Sequence, residues 1–138
     1  MDRLGCKGGA TVVVVVDDDD AVRDSLKLLL ETDNIEVLTY ASGEEFLSEG
    51  LEIQYDCVML DIHLPGVSGF HVLRQLVARG FRNPVILMTA RPSEAVRLEA
   101  ERAGALTLML KPLDDNQLFD AIYRGLTFRP ELPASNCT

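Results

Sequence analysis

The chain has 138 residues, enough for one domain with a substantial hydrophobic core and too few for two full domains. Its formal net charge of −9 argues against direct binding to nucleic acid, whose phosphates would be repelled. No apolar run is long enough to span a bilayer and no signal-peptide pattern is present, so we expect a cytoplasmic domain that does not bind membranes. Three distant cysteines show neither a disulfide framework nor a zinc-binding spacing, which fits a reducing compartment: Cys6, Cys57 and Cys137.

The chain divides into three parts. Residues 1–10 combine glycines with mixed charges and show no periodicity, which predicts a flexible N-terminal arm. Residues 11–127 form the predicted domain. Residues 128–138 include two prolines and again lose periodicity, so we interpret them as a tail or a truncated linker.

Short apolar segments rich in β-branched residues alternate with helical patterns along the domain. The predicted strands are Thr11–Val16, Ile35–Tyr40, Asp56–Leu60, Pro84–Met88 and Ala105–Leu110. Capping residues predict where the five helices start, namely Asp19 or Asp20, Ser42 with Glu45, Ser68, Ser93 and Asp114. We expect the first four helices to end at Asn34, Gly50, Gly80 and Gly104, and the third to bury Phe70, Leu73, Leu76 and Val77.

This alternation predicts the α/β fold class, with a doubly wound parallel sheet of five strands. In such sheets the ligand site lies outside the carboxyl ends of the strands. Polar residues with no evident structural role follow four of the predicted strands at that edge: Asp17, Asp18, Asp61, Thr89 and Lys111.

Each of these residues also has a purely structural alternative. The aspartates after the first strand can cap a helix and match its dipole, Asp61 can be an ordinary loop residue, and Thr89 can begin a turn. Lys-Pro pairs are common at strand ends. These polar residues nevertheless follow four different strands at one predicted edge of the sheet, and that joint occurrence favours a functional site.

The residue types indicate phosphoryl chemistry. Three carboxylates at one edge repel each other unless a divalent cation neutralises them, and hard oxygen ligands suit Mg²⁺. A carboxylate such as Asp61 can attack phosphorus to give an acyl phosphate. Lys111 and Thr89 are the cationic and hydroxyl groups that would then stabilise charge on the phosphoryl oxygens.

From about Thr11 to Leu126 the chain resembles the receiver domain of two-component response regulators. The segments that carry the resemblance are Val16–Arg23, Leu60-Asp61, Leu64–Gly69, Met88–Ala90, Gly104-Ala105 and Leu110–Pro112. The resemblance implies a flavodoxin-like sheet with strand order 2-1-3-4-5 and five helices on its two faces. The opening from Asp17 to Leu26 looks most like receivers that precede a helix-turn-helix output domain.

The resemblance also implies roles for the site residues. Asp61 would accept the phosphoryl group from the phosphohistidine of a sensor histidine kinase. Asp18, Asp61 and the backbone carbonyl of His63 would coordinate Mg²⁺, with Asp17 acting mostly through water. Thr89 and Lys111 would bind the phosphoryl group, and the peptide bond before Pro112 would be cis. The expected function is thus a phosphoacceptor signalling domain rather than an enzyme with a separate substrate.

Two features depart from the commonest pattern of that family. Leu108 stands where an aromatic residue usually takes part in the switch. The sequence leaves the effect of this leucine open, and movement of Thr89 toward the phosphoryl group does not depend on it. His63 and Arg91 follow Asp61 and Thr89 by two residues, and we hypothesise that this bulky pair sets an unusual dephosphorylation rate. Small replacements at both positions that left the decay rate unchanged would contradict the hypothesis.

The surface of the fourth helix, fifth strand and fifth helix is expected to report phosphorylation. Phe119 and Tyr123 lie off the main apolar stripe of the fifth helix, and partial burial explains them as readily as a partner contact. We predict a phosphorylation-dependent homodimer through this surface, and control of an output domain outside this chain.

Two other readings compete with this one. A phosphatase of the haloacid-dehalogenase type also uses an aspartate after an apolar strand, but Ala21 stands where its motif expects threonine. A degenerate receiver could serve solely as a protein-binding module. Turnover of a generic phosphomonoester would indicate the phosphatase, and failure to bind Mg²⁺ would favour the module.

Overall fold

The structure is a computed structural model that describes residues 11–49 and 54–127. Within these ranges, strands and helices alternate strictly. The strands are β1 (Val12–Val16), β2 (Glu36–Tyr40), β3 (Cys57–Asp61), β4 (Val85–Thr89) and β5 (Thr107–Leu110). The helices are α1 (Asp20–Glu31), α2 (Gly43–Glu49), α3 (Gly69–Ala78), α4 (Glu94–Ala103) and α5 (Asp115–Thr127). The predicted arm, the predicted tail and Gly50 lie outside the described residues.

The described strands form one parallel sheet in the order β2-β1-β3-β4-β5, which confirms the predicted fold class and strand order. The register pairs Val16 with Leu60, Asp61 with Met88, and Thr89 with Leu110. Because parallel strands in this register end together, the residues that follow them meet at one edge of the sheet. That edge is the predicted location of the site.

Alternate side chains of each central strand enter opposite faces of the sheet, and both faces are covered by helices. Val13 and Val15 belong to one hydrophobic cluster, with Leu118 and Ile122 of α5. Val14 and Val16 belong to the other, with Phe46 of α2. Burial on both faces explains why β1 is a continuous run of valines rather than an alternating pattern.

The predicted caps are confirmed. The Asp19 carboxylate accepts hydrogen bonds from the first turn of α1, and Ser68 and Ser93 do the same for α3 and α4. Asp114 Oδ1 accepts from Gln117 N at 2.9 Å at the start of α5. At α2, Ser42 Oγ accepts from Glu45 N at 3.1 Å, but the Glu45 carboxylate accepts from Ala41 N rather than from Ser42 N.

The helix α1 ends at Glu31, and Asn34 closes it as predicted: it has a φ of 60°, and its N–H donates to the Glu31 carbonyl at 3.1 Å. Other predicted details are wrong. Each strand starts one or two residues later than predicted. Asp56 precedes β3 instead of starting it, because its carboxylate accepts a hydrogen bond from Val12 N at 2.8 Å. On α3, Val77 is 53% exposed while Val72 is fully buried, since the helical period turns Val77 past the sheet.

Two other predictions on the fold are confirmed. Cys57 is fully buried in the hydrophobic core, and the peptide bond between Lys111 and Pro112 is cis. Within residues 11–49 and 54–127, no helix combines the length and apolar character needed to cross a membrane.

Candidate functional site

Three carboxylates meet at the carboxyl edge of the sheet. Asp17 directly follows β1, where its N–H donates to the Tyr40 carbonyl at 3.1 Å and so continues the ladder to β2. Asp61 is the last residue of β3. Carboxylate oxygens of Asp17, Asp18 and Asp61 all lie within 4.8 Å of one another. Asp17 and Asp61 are buried, whereas Asp18 is exposed and opens the cluster to solvent.

Lys111 joins this cluster from the end of β5. Its Nζ lies 2.6 Å from Asp17 Oδ2 and 3.0 Å from Asp61 Oδ2. Its backbone N–H donates to the Thr89 carbonyl at 2.8 Å, which fixes where the side chain begins. Burial alone would lower the pKa of the Lys111 ammonium, but its hydrogen bonds to Asp17 and Asp61 outweigh burial and raise that pKa above its ordinary value. Lys111 is therefore a cation held between two carboxylates.

Asp17 shows the electrostatic cost of the cluster. Burial raises the pKa of Asp17, against the lowering effects of Lys111 and the Asp19 N–H, and the charge of Asp61 adds to the rise. Lys111 supplies one positive charge to three carboxylates. The cluster is therefore still short of positive charge, which favours a divalent cation.

Both carboxylate oxygens of Asp61 are held in place. Oδ1 accepts a hydrogen bond from the His63 N–H at 3.0 Å, and Oδ2 is bound by Lys111. Thr89, fully buried at the end of the neighbouring strand, accepts from the Arg91 N–H at 3.0 Å through Oγ1 and keeps its own hydroxyl proton to donate. The structure thus brings the five predicted side chains to one edge of the sheet.

His63 and Arg91 are both exposed and flank this edge. No described contact joins the His63 carbonyl to the carboxylates, so its role as a metal ligand stays a prediction. The proposed influence of the two side chains on dephosphorylation also stays a prediction.

The donor set fits Mg²⁺. Hard carboxylate oxygens, close together and open to solvent on one side, are the ligands that Mg²⁺ prefers while it keeps bound waters. Asp17, Asp18 and Asp61 would supply those oxygens. A metal coordinated through a histidine ring is not needed to explain the site.

Two further residues hold the loops that carry the carboxylates, and sequence reasoning missed both. Arg23 Nη1 donates to the Asp17 carbonyl at 2.7 Å. Glu44 Oε2, on α2, accepts from Val67 N at 3.2 Å in the loop after β3. A cation near the start of a helix interacts unfavourably with the helix dipole, so the position of Arg23 in the sequence could have indicated that it makes specific contacts. Nothing in the sequence pointed to Glu44, because its partner is distant along the chain.

The loop after β3 also needs a glycine where it enters α3. A Cβ atom on Gly69 would lie 2.4 Å from the Asp61 carbonyl oxygen, which no real side chain tolerates. The Gly69 N–H donates to the Ile62 carbonyl at 2.9 Å. The close approach fixes the start of α3 against the strand end that carries Asp61.

Comparison with known proteins decides the family. Residues 13–123 match the family described as the response regulator receiver domain. The chain belongs to this family. The match covers the sheet from Val13 of β1 onward and every residue of the site.

Similar proteins include several regulators of transcription. The chain is 39% identical over 107 residues to the transcriptional regulatory protein FixJ of Azorhizobium caulinodans, a match over 78% of the chain and 51% of that protein. It is 34% identical over 125 residues to TdiR of Thauera aromatica, covering 91% of the chain and 55% of that protein. The chain therefore spans about half the length of these relatives.

Solved structures agree. The response regulator StyR is 35% identical with a TM-score of 0.80, over 89% of this chain and 62% of that one. A CheY-like receiver domain from Methanospirillum hungatei is 26% identical with a TM-score of 0.83, over 88% of this chain and 97% of that one. This receiver domain therefore has the usual architecture of its family.

Proposed function

We propose that this receiver domain accepts a phosphoryl group on Asp61 in a Mg²⁺-dependent reaction, and that phosphorylation changes the surface it presents to an output. The observation that carries the proposal is the position of Asp61. Its carboxylate is almost fully buried, lies 3.0 Å from the Lys111 ammonium, and has two further carboxylates within 4.8 Å.

The roles of the protein groups follow from these contacts. An oxygen of Asp61 attacks phosphorus, forming an O–P bond as the bond from phosphorus to the donor nitrogen breaks. The electron pair of the broken bond stays on the departing imidazole, which takes up a proton. Lys111 and the Thr89 hydroxyl stabilise the negative charge on the phosphoryl oxygens. Bound Mg²⁺ would neutralise the carboxylates of Asp17, Asp18 and Asp61 and the charge of the phosphoryl group.

A sensor histidine kinase is the proposed donor, and a groove beside Lys111 is its proposed docking site. The groove has a volume of about 450 Å³ and runs between α1 and the start of α5. Its walls are largely apolar, and it is lined by Ala21, Val22, Ser25, Leu26, Leu29, Lys111, Pro112, Leu113 and Asp115. Because Lys111 borders both the groove and Asp61, a helix seated there would bring a phosphohistidine to the acceptor.

The proposed switch acts through Thr89 rather than an aromatic residue. Leu108 is half-buried at the position where an aromatic residue would be expected to move. A phosphoryl group on Asp61 would attract the Thr89 hydroxyl and disturb its hydrogen bond with the Arg91 N–H. Arg91 lies in the segment that leads to α4, so this change would be passed on to that helix.

We propose a phosphorylation-dependent homodimer through α4, β5 and α5. Leu106 and Leu110 are 38% and 52% exposed on this surface. Phe119 and Tyr123 contribute less, because they pack partly against the core and stack on each other with ring centroids 6.3 Å apart. Sedimentation that shows a monomer both with and without a stable phosphoryl mimic would contradict the dimer.

The output is proposed to be transcriptional. FixJ and TdiR are transcriptional regulatory proteins of about twice the matched length, which supports a DNA-binding output domain controlled by this receiver. We propose that the receiver itself catalyses only its own phosphorylation and dephosphorylation, in the cytoplasm.

Intact-mass spectrometry tests the phosphoryl-transfer proposal. The domain is incubated with acetyl phosphate, with Mg²⁺ or with a chelator, beside an Asp61→Asn variant. We expect one phosphoryl adduct that requires Mg²⁺ and is absent from the variant. An equal adduct on Asp61→Asn, or none on the unaltered domain, would contradict the proposal.

A further inference from the structure

Arg23 occupies an unusual place for a cation. It lies three residues after the first residue of α1, near the positive end of the helix dipole. Its side chain is only 17% exposed, although arginine is normally a surface residue. Such a placement costs stability unless the guanidinium makes specific contacts.

The contacts of Arg23 join both sides of the loop between β1 and α1. Nη1 donates to the Asp17 carbonyl at 2.7 Å, and Nη2 forms an ion pair with the Asp20 carboxylate. The Arg23 backbone N–H donates to the Asp19 carbonyl at 3.1 Å. Arg23 therefore connects the end of the strand to the start of the helix across the loop.

Asp18 depends on this connection more than its neighbours do. Asp17 is held by Lys111 and by the Asp19 N–H, and Asp19 caps α1. No hydrogen bond or ion pair within residues 11–49 and 54–127 holds the Asp18 carboxylate. Its position is set by its backbone, and the carbonyl of the peptide that links Asp17 to Asp18 is the acceptor of Arg23.

We propose that Arg23 is a positioning residue for the metal site: it fixes the peptide between Asp17 and Asp18 and so aims the Asp18 carboxylate at the cluster. This inference rests on the proposed Mg²⁺-dependent function. It goes beyond that function by assigning the affinity of the site in part to a residue that need not touch the metal.

Charge and geometry make opposite predictions for Arg23. As a nearby positive charge it would repel Mg²⁺, so removing it would tighten binding. As a positioning residue it would strengthen Mg²⁺ binding, because its planar guanidinium contacts two groups of the loop at once, which the single ammonium of lysine cannot reproduce. Arg23→Lys keeps the positive charge and loses the guanidinium, whereas Arg23→Gln loses both.

The experiment is Mg²⁺ titration by isothermal calorimetry on the unaltered domain, Arg23→Lys, Arg23→Gln and the control Lys27→Gln. Lys27 lies on the same helix, is exposed, and pairs with Glu31 at 3.0 Å, away from the loop. We expect both Arg23 variants to bind Mg²⁺ about tenfold more weakly, which is the low end of the loss expected when a residue that orients a metal ligand is replaced. The control should bind Mg²⁺ as tightly as the unaltered domain. Thermal unfolding in a chelator measures any structural effect separately.

Two results would overturn this inference and leave the proposed function intact. One is tighter binding by Arg23→Gln with unchanged binding by Arg23→Lys, which would make Arg23 a simple repulsive charge. The other is unchanged affinity in both variants with a lower melting temperature, which would make it purely structural. If Arg23→Gln fails to fold, Arg23→Lys decides. An unaltered domain that binds no Mg²⁺ would overturn the proposed function together with the inference.

Discussion

The two ends of β3 carry buried aspartates with different partners. Asp56 directly precedes the strand and is 1% exposed, and Asp61 ends it and is 5% exposed. The Asp56 carboxylate accepts from the Val12 N–H at 2.8 Å, and the Asp56 N–H donates to the Val12 carbonyl at the same distance. Asp61 instead faces two carboxylates and an ammonium.

The comparison shows that burial alone does not make a carboxylate functional. A backbone N–H compensates the charge of Asp56 and ties two strands together, so its role is structural. Asp61 lies in a cluster whose negative charges outnumber its cation, and that deficit favours a divalent cation. Substitutions at one end of the sheet at a time test this difference.

The largest effect is expected for Lys111→Met, which keeps an apolar stem and removes the cation from Asp17 and Asp61. Loss of a donor aimed at developing charge should slow phosphorylation by acetyl phosphate about a hundredfold. The initial rate of adduct formation, followed by mass spectrometry, measures the change. Lys27→Met is the matched control on an exposed part of α1 and should react normally; a near-normal rate for Lys111→Met would remove Lys111 from the mechanism.

At the other end of the strand, Asp56→Ala should damage stability rather than chemistry. The Val12 N–H would lose its acceptor in a partly buried position, at a cost of about 1 kcal/mol in the free energy of unfolding. Urea denaturation measures the loss, and phosphorylation of the folded variant should reach the same level as in the unaltered domain. Unchanged stability would contradict the structural role given to Asp56.

Two fully buried threonines, Thr89 at the end of β4 and Thr11 just before β1, offer a second matched pair. Thr89→Val removes the hydroxyl proposed to bind the phosphoryl group, and a hydrogen bond to a charged group is worth enough to slow phosphorylation about tenfold. Thr11 lies at the opposite edge, where its Oγ1 has no hydrogen-bond partner among the described residues. Thr11→Val should therefore leave the rate unchanged and raise the free energy of unfolding, because it removes a buried hydroxyl that no partner compensates. Equal effects of the two changes on the rate would show that the hydroxyl of Thr89 has no special role.

The smallest effect is expected for Asp17→Asn, and its sign is informative. Because burial raises the pKa of Asp17 above its ordinary value of 3.8, the ionised form destabilises the metal-free fold at neutral pH. The variant should melt at a higher temperature than the unaltered domain in a chelator, and gain less from added Mg²⁺. This advantage should shrink as the pH falls through the raised pKa, where Asp17 itself becomes neutral. A lower melting temperature in the chelator at pH 7 would contradict the account.

Much of this molecule follows from local patterns. Runs of apolar residues predict the strands, and the charged or hydroxyl-bearing residues that end these runs predict the site. Because parallel strands in register end together, Asp61 and Lys111 are expected at the same edge of the sheet. Caps such as Ser68 and Asp19 mark helix starts within a residue. These features depend on near neighbours in sequence or on the general rules of parallel sheets.

The misplaced details depend on contacts between distant residues. The apolar period of α3 allows either Val72 or Val77 to face the sheet, and packing selects Val72. Asp56 looks like the start of a strand until its bond to Val12 is known. Arg23 and Glu44 hold loops through backbone atoms, whose availability the sequence does not reveal.

Among the clustered carboxylates, Asp61 is the proposed phosphoacceptor, and borohydride trapping tests this assignment. The phosphorylated domain is reduced, which converts an aspartyl phosphate to homoserine, and the modified residue is located by peptide mass spectrometry. We expect homoserine at position 61 and unmodified aspartate at positions 17, 18 and 56. Modification at any of those three positions, with Asp61 intact, would contradict it.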